Sequence, residues 1–228
     1  MVTGLMCVLV GRVNGQLSEF HDGKIPSGWK VIGQSQDRPD GLILGPSVGE
    51  YGISGVVQSE FPIISTNERA QVSVKLSSFQ VDRPAPDEIE NENDIRLNIL
   101  LTPNPVPAWE NPAEVFNVAL LYNSRNRGIF CGLFAKGSGR PQEAPEWLEN
   151  GLFLGENLGG EILDVAISLR DGKVQVVVNL RGNLLGELNA PLSGPLEWLA
   201  SGQYYVLVYL QNIGDGSGSV KIHSIAVE

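Results

Sequence analysis

The sequence predicts an all-β protein built as an antiparallel β-sandwich, and three observations carry that prediction. The first is the stretch 161–188, EILDVAISLRDGKVQVVVNLRGNLLGEL, in which two apolar-alternating runs are joined by Asp171-Gly172. Asp-Gly between such runs signals a hairpin, because a type I′ turn needs positive φ at both central residues. The second is clean alternation elsewhere: Ala70, Val72, Val74 and Leu76 in one run, and Ile95, Leu97, Ile99 and Leu101 in another. The third is that no long stretch carries helical periodicity, while 27 glycines and 14 prolines provide turns between short strands.

The hairpin specifies its own register. With Arg170 and Lys173 flanking a two-residue turn, Leu169 faces Val174, Ile167 faces Val176, Val165 faces Val178 and Leu163 faces Leu180. All eight are apolar and share one face, and a one-residue slip would destroy the agreement. The opposite face carries Asp164, Ser168, Arg170, Lys173, Gln175 and Asn179, with no aromatic residue.

Taken in order, a Gly-Pro-Ser loop at 20–28 leads into a strand at 29–32, Asp40-Gly41 introduces a strand at 42–44, and another at 53–61 stops at Pro62. The run at 69–76 is followed by a polar, acidic loop at 81–94, and the run from Ile95 by a Pro-rich loop at 102–114. Strands at 115–122 and 129–136 form a second hairpin. A long loop at 137–151 follows, in which Pro145-Glu146-Trp147-Leu148 reads as one helical turn. After the Asp-Gly hairpin come a short turn at 196–200, a strand at 204–211 and a last strand at 220–227. In that last strand Val220 and Ile222 hold one phase while Ile225 and Val227 hold the other, so a β-bulge is expected at His223-Ser224. About a dozen short strands, no composition break and no repeat indicate one sandwich domain. Residues 1–16 read either as a remnant of a secretory signal ending near Val13-Asn14-Gly15 or as a first strand; no basic residue precedes the apolar run 5–10, which is too short to span a membrane. The domain proper is 17–228.

Composition excludes several functions. A net charge of −10 disfavours nucleic acid and anionic membrane surfaces. Two cysteines, Cys7 and Cys131, do not make a disulfide framework, and Cys131 within an apolar strand reads as a buried free thiol. Two histidines, His21 and His223, are too few for a zinc site of several His or Cys, and neither stands in a nucleophile-elbow context.

Three stretches resemble the concanavalin A-like lectin/glucanase superfamily, which includes legume lectins and laminin-G-like domains. They are the opening Ile25-Pro26-Ser27-Gly28-Trp29 followed by Asp40-Gly41-Leu42-Ile43-Leu44, the run 165–179 with Arg181-Gly182 after it, and the closing strands 204–211 and 218–227. The resemblance covers most of residues 17–228 and implies a jelly-roll sandwich in an exported, secreted or cell-surface protein. Its motifs are turns and alternation, so they specify fold better than activity. Retaining glucanases of the superfamily carry Glu-x-Asp-x-Glu on a strand, with two carboxylates about 5–5.5 Å apart. Glu88-Ile89-Glu90-Asn91-Glu92 is similar, but Glu90 replaces the Asp and the flanks are Pro-rich rather than strand-like, so a solvated acidic loop is expected. Calcium on Asp87, Glu88, Glu90 and Asp94 would suit hard oxygen ligands, yet the spacing of a dedicated loop is missing, and no cofactor is expected.

The loops at 102–114 and 137–151 leave the same end of one hairpin, and each holds a Trp beside acids and amides. Sugars stack a C–H face on an aromatic ring while carboxylates and amides take the hydroxyls. Trp109, Glu110, Asn111, Glu146, Trp147 and Asn150 are therefore the expected ligand rim; the competing reading folds both tryptophans back as caps on the sandwich. Trp29 and Trp198 read as structural. The resulting expectation is a non-catalytic, lectin-like module whose partner is a polysaccharide or glycan, without nucleic acid or membrane insertion. A carboxylate-dependent glycoside hydrolase or lyase, and a structural or adhesive surface domain, are the alternatives.

Overall fold

The computed structural model describes residues 16–20, 24–33, 35–45, 53–64, 70–83, 95–105, 114–123, 128–137, 146–200, 202–212 and 217–228. In chain order the strands are β1 (Gln16–Glu19), β2 (Trp29–Ile32), β3 (Ser35–Arg38), β4 (Gly41–Leu44), β5 (Ile53–Ser59), β6 (Ile63–Ile64), β7 (Ala70–Arg83) and β8 (Ile95–Thr102). They continue with β9 (Val115–Asn123), β10 (Gly128–Lys136), β11 (Glu146–Glu156), β12 (Ile162–Arg170), β13 (Lys173–Leu180), β14 (Asn183–Pro191), β15 (Gln203–Asn212) and β16 (Ser217–Val227). A 3-10 helix spans Gly194–Ala200. Two antiparallel sheets result. The first runs β14-β13-β12-β7-β16-β4-β3 with β1 beside β16, and the second runs β11-β10-β9-β8-β15-β5-β2 with β6 beside β15. This is the expected all-β jelly-roll sandwich.

The Asp-Gly hairpin has the predicted register. Leu169, Ile167, Val165 and Leu163 pair with Val174, Val176, Val178 and Leu180, and Arg170 pairs with Lys173. Asp171 and Gly172 have φ of 52° and 70°, as a type I′ turn requires. The bulge in the last strand is also present: pairing of β16 with β7 shifts between Ile222 and Ser224, so that Val220, Ile222, Ile225 and Val227 are all buried. The inner faces of both sheets merge into one core, from Val72, Val74, Leu163 and Val176 on one side to Leu97, Leu120, Leu133 and Val208 on the other. Burying one such side chain contributes about 1.5–3 kcal/mol. Trp29 belongs to this core, and its indole N–H donates to Ser18 Oγ at 2.9 Å, so its polar tip is satisfied. Cys131 lies in the same core, where burial pushes its thiol up to about 12.

Two sequence expectations need correction. Glu146-Trp147-Leu148 is not a helical turn but the start of β11, which pairs with β10. The ladder along β10 satisfies the backbone there, and Leu148 and Leu152 gain contact with the core, which outweighs a weak local helix signal. The Asp-Gly hairpin is also a three-stranded unit. Arg181 and Gly182 have φ of 51° and 82° and form a second tight turn into β14, which pairs with β13. The acidic run Glu88–Glu92, the residues proposed for calcium, His21, Cys7 and residues 1–15 lie outside the described residues, as do Trp109, Glu110 and Asn111.

Candidate functional site

The two sheets share one core but have different outer faces. On the first sheet the outer face is a partnered polar surface. Arg170 donates to Gln175 at 2.9 Å, Gln175 to Glu187 at 2.8 Å, and Asn189 to the same Glu187 oxygen at 2.7 Å. Ser168 donates to Gln71, and Gln71 to Ser73, each at 3.3 Å. The Asn189 and Gln175 amides hold the Glu187 carboxyl below its ordinary range.

At the other end of this sheet His223 is clasped between Ser77 and the Asp40 carbonyl. Its Nδ1 lies 2.9 Å from that carbonyl oxygen and its Nε2 lies 2.7 Å from Ser77 Oγ. A carbonyl only accepts, so Nδ1 donates to Asp40, while Nε2 and the Ser77 hydroxyl share the second hydrogen bond. The Asp40 carboxylate serves Lys221 at 2.6 Å instead of the imidazole, so no Ser-His-Asp relay is assembled here.

The outer face of the second sheet has another character. Alternation places Lys30, Val56, Gln58, Arg96, Asn98, Leu100, Thr102, Asn117, Ala119, Leu121, Phe130, Gly132, Phe134, Tyr205, Leu207 and Tyr209 there, because their neighbours in sequence fill the core. Part of this face is an apolar floor, in which Val56, Leu100, Val115, Leu207 and Tyr209 cluster. Set into it are polar atoms without hydrogen-bond partners: both amide atoms of Gln58, Arg96 Nε, Thr102 Oγ1 and Asn117 Oδ1. Among the described residues one side-chain pair in this group joins two amides, with Asn117 Nδ2 donating to Asn98 Oδ1 at 2.8 Å. A buried polar atom without a partner costs about 1–3 kcal/mol, so four such residues on one face are unusual.

One cross-strand row is open. Register sets Phe153 opposite Phe130, Phe130 opposite Leu121, Leu121 opposite Arg96 and Arg96 opposite Gln211. Phe153 is 46% exposed, and Phe130, Arg96 and Gln211 are half-buried. The Phe130 and Phe153 rings lie 5.0 Å apart. From β11 to β15 the row crosses four inter-strand steps of about 4.8 Å, roughly 19 Å in all. Next to it Gly132 pairs with Ala119, and over this low ground the Arg96 guanidinium reaches Phe134, 5.4 Å from the ring centroid. Burial lowers the Arg96 pKa, and burial pushes the Tyr209 hydroxyl up to about 12.

The sheet is also short of acids. Strands β2, β5, β6, β8, β9, β10 and β15 contain no Asp or Glu; the acids of this sheet, Glu146, Glu149 and Glu156, are all on the edge strand β11. No group of three or more His, Cys, Asp or Glu that could hold a metal occurs among the described residues.

Of the expected rim, the backbones of Glu146, Trp147 and Asn150 are placed on β11, where Glu146 pairs with Ala135 and Trp147 with Phe134. Their side chains, like Trp109, Glu110 and Asn111, are outside the described residues. Sequence reasoning did not single out Arg96, Asn117, Phe130 or Phe153. The signal was present in the off-phase positions of β8, β9 and β10, where a solvated face would show many charges and these strands show amides, aromatics, one arginine and one lysine.

No family model matches the sequence, and no curated protein matches it. Solved structures do match. A legume lectin-like domain from Entamoeba histolytica aligns with a TM-score of 0.64 at 10% identity, covering 92% of this chain and 95% of that one. The fold is that of the concanavalin A-like lectins and glucanases. Within that fold, the CBM2 module of the evolved Dit protein of Lactobacillus casei BL23 phage J-1 aligns with a TM-score of 0.61 at 10% identity, covering 93% and 96%. The apo Crh5 transglycosylase aligns with a TM-score of 0.59 at 10% identity, covering 94% and 84%. The likeness is one of fold, shared with a legume lectin-like domain, a CBM2 module and a transglycosylase.

Proposed function

We propose that this protein is a non-catalytic, lectin-like carbohydrate-binding module of an exported protein. One observation carries the reading: the outer face of the second sheet combines an aromatic pair, Phe153 exposed and Phe130 half-buried, with unspent hydrogen-bonding groups. Phe153 and Phe130 offer ring surface for a sugar C–H face, and Arg96, Asn117 and Gln211 stand within the same half-buried ground. Sugars present both kinds of surface at once. The chain enters β9 and leaves β10 at the Val115–Lys136 end of this pair, and Trp109, Glu110, Asn111, Glu146, Trp147 and Asn150, from the segments adjoining that end in sequence, are proposed as its rim.

The acid-free strands favour binding over hydrolysis. A retaining pair needs two carboxylates held about 5–5.5 Å apart on a rigid floor, and the floor of this sheet has none to offer inside β11. A glycan array probed with the wild type, Phe130→Ala/Phe153→Ala and Trp109→Ala/Trp147→Ala tests the reading. The wild type is expected to bind a restricted set of glycans, and each double variant to lose at least about tenfold in affinity. Unchanged binding by the Trp variant removes the rim from the site. Wild-type protein that binds no glycan favours the surface-domain alternative, and release of reducing ends would return the protein to the enzymes.

A further inference from the structure

We propose that the outer face of the second sheet recognises an acidic glycan, with the Arg96 guanidinium pairing with a sugar carboxylate. The inference rests on the glycan-binding reading above and adds the class of sugar.

The starting observation is a cation without a counter-charge. Arg96 sits on the second strand position of β8, half-buried, and it makes no ion pair among the described residues; its Nε is buried without a partner. Arginines taken out of water are ordinarily matched by a carboxylate, since an uncompensated buried charge is costly. On the first sheet even exposed cations have an acid beside them: Arg181 pairs with Glu161 at 2.6 Å and Lys221 with Asp40 at 2.6 Å. Among the described residues no acid lies opposite Arg96 in its ladders. The neighbours across the ladder are Leu121 and Gln211, and the seven strands β2, β5, β6, β8, β9, β10 and β15 carry neither Asp nor Glu. Their outer face instead carries the cations Lys30, Arg96 and Lys136. In a chain of net charge −10 this is a local inversion of sign, and it favours an anionic ligand.

Geometry narrows the anion. The guanidinium stands 5.4 Å from the Phe134 ring centroid, and the cross-strand row of Arg96 continues through Leu121 and Phe130 to the exposed Phe153 ring. A sugar stacked on Phe153 and Phe130 would project substituents along that row toward Arg96. A planar fork of donors matches a carboxylate in two hydrogen bonds. Burial, which lowers the Arg96 pKa, is the same desolvation that strengthens such a pair.

The test is calorimetric titration of the full chain with oligogalacturonate, oligomannuronate and sialyllactose, each beside its carboxyl-reduced counterpart. At least one acidic glycan is expected to bind about tenfold or more tightly than its reduced form, and added salt should narrow that gap. Arg96→Gln should abolish the preference, Arg96→Lys should retain part of it, and Arg170→Gln on the other sheet should leave it unchanged. Circular dichroism melting confirms that each variant is folded; should Arg96→Gln fail to fold, Arg96→Lys decides through its smaller gap. Equal binding of acidic and reduced forms, or a preference that survives in the Arg96 variants, overturns the assignment while leaving neutral glycan binding intact. Absence of binding to all six, with a neutral ligand found on the glycan array, overturns it and leaves the glycan-binding reading standing; absence of binding both here and on the array overturns both.

Discussion

The two hairpin-built halves of this sandwich present the same inner face and opposite outer faces. Behind β12-β13-β14 the outward side chains pair with one another: Arg170, Gln175, Glu187 and Asn189 form a chain of hydrogen bonds. Behind β8-β9-β10 the outward side chains are Arg96, Asn117, Phe130 and Phe134, and part of their hydrogen-bonding capacity has no partner in the fold. A face that satisfies itself needs only water. A face that leaves buried amides and a guanidinium unmatched has been kept at some cost in stability, and such sites are where a fold departs from self-consistency for function.

The largest expected effect tests the half of the comparison that is the same. Leu163→Ala on β12 and Leu120→Ala on β9 remove fully buried side chains from one shared core, and each is expected to destabilise by about 2–5 kcal/mol in urea unfolding. A markedly smaller loss for one of them would mean that the sheets do not share a core. Next comes Phe153→Ala. At 46% exposure Phe153 contributes little packing, so the melting temperature should stay nearly constant while glycan affinity falls by about tenfold.

A smaller effect separates the outer faces directly. Gln58 is buried with both amide atoms unpartnered. Gln58→Leu is therefore expected to be neutral or stabilising by up to about 1 kcal/mol, whereas Gln175→Leu breaks a surface network and should fall within about 0.5 kcal/mol on the destabilising side. Destabilisation by Gln58→Leu of 2 kcal/mol or more, on the order of a lost buried hydrogen bond, would show that Gln58 is partnered after all. The smallest effect concerns pH. The hydrogen bond from Lys221 holds the Asp40 carboxyl below its ordinary range. Its folded pKa being depressed, its contribution to stability is present above the unfolded value and is lost as pH falls through the folded one. Asp40→Asn should lower stability slightly at neutral pH, leave it unchanged below the folded pKa and so flatten the acid side of the profile; because the carboxylate is exposed, the change is small.

The sandwich was largely legible in the sequence because alternation and turn chemistry are local. Asp171-Gly172 dictated a turn type, the turn dictated a register, and the register matched eight apolar residues across β12 and β13. The phase slip at His223-Ser224 identified a bulge for the same reason. The reading failed where a long-range ladder decides the outcome. Glu146-Trp147-Leu148 has no alternation of its own and becomes a strand only because β10 is beside it, and β14 forms against β13 through a turn whose Arg181 takes positive φ against its usual preference.

The candidate site was less legible. Arg96 and Gln211 are 115 residues apart in the chain and meet only because β8 and β15 pair. Off-phase residues in an alternating strand look like solvent positions until the sheet order shows which of them share a face. The absence of acids in seven of the eight strands of the second sheet was visible in the sequence from the start, but it acquired meaning only when those strands were found side by side.

The most direct measurement is a glycan titration that pits the two outer faces against each other. Phe130→Ala/Phe153→Ala disarms the second sheet, and Gln175→Ala/Asn189→Ala disarms the first, with the same glycan and the same folded-state control for both. Affinity reduced by tenfold or more in the first variant and unchanged in the second is the predicted outcome. Unchanged affinity in the Phe variant, with loss in the Gln175 and Asn189 variant, would contradict the assignment and move the binding face to the Asp-Gly hairpin.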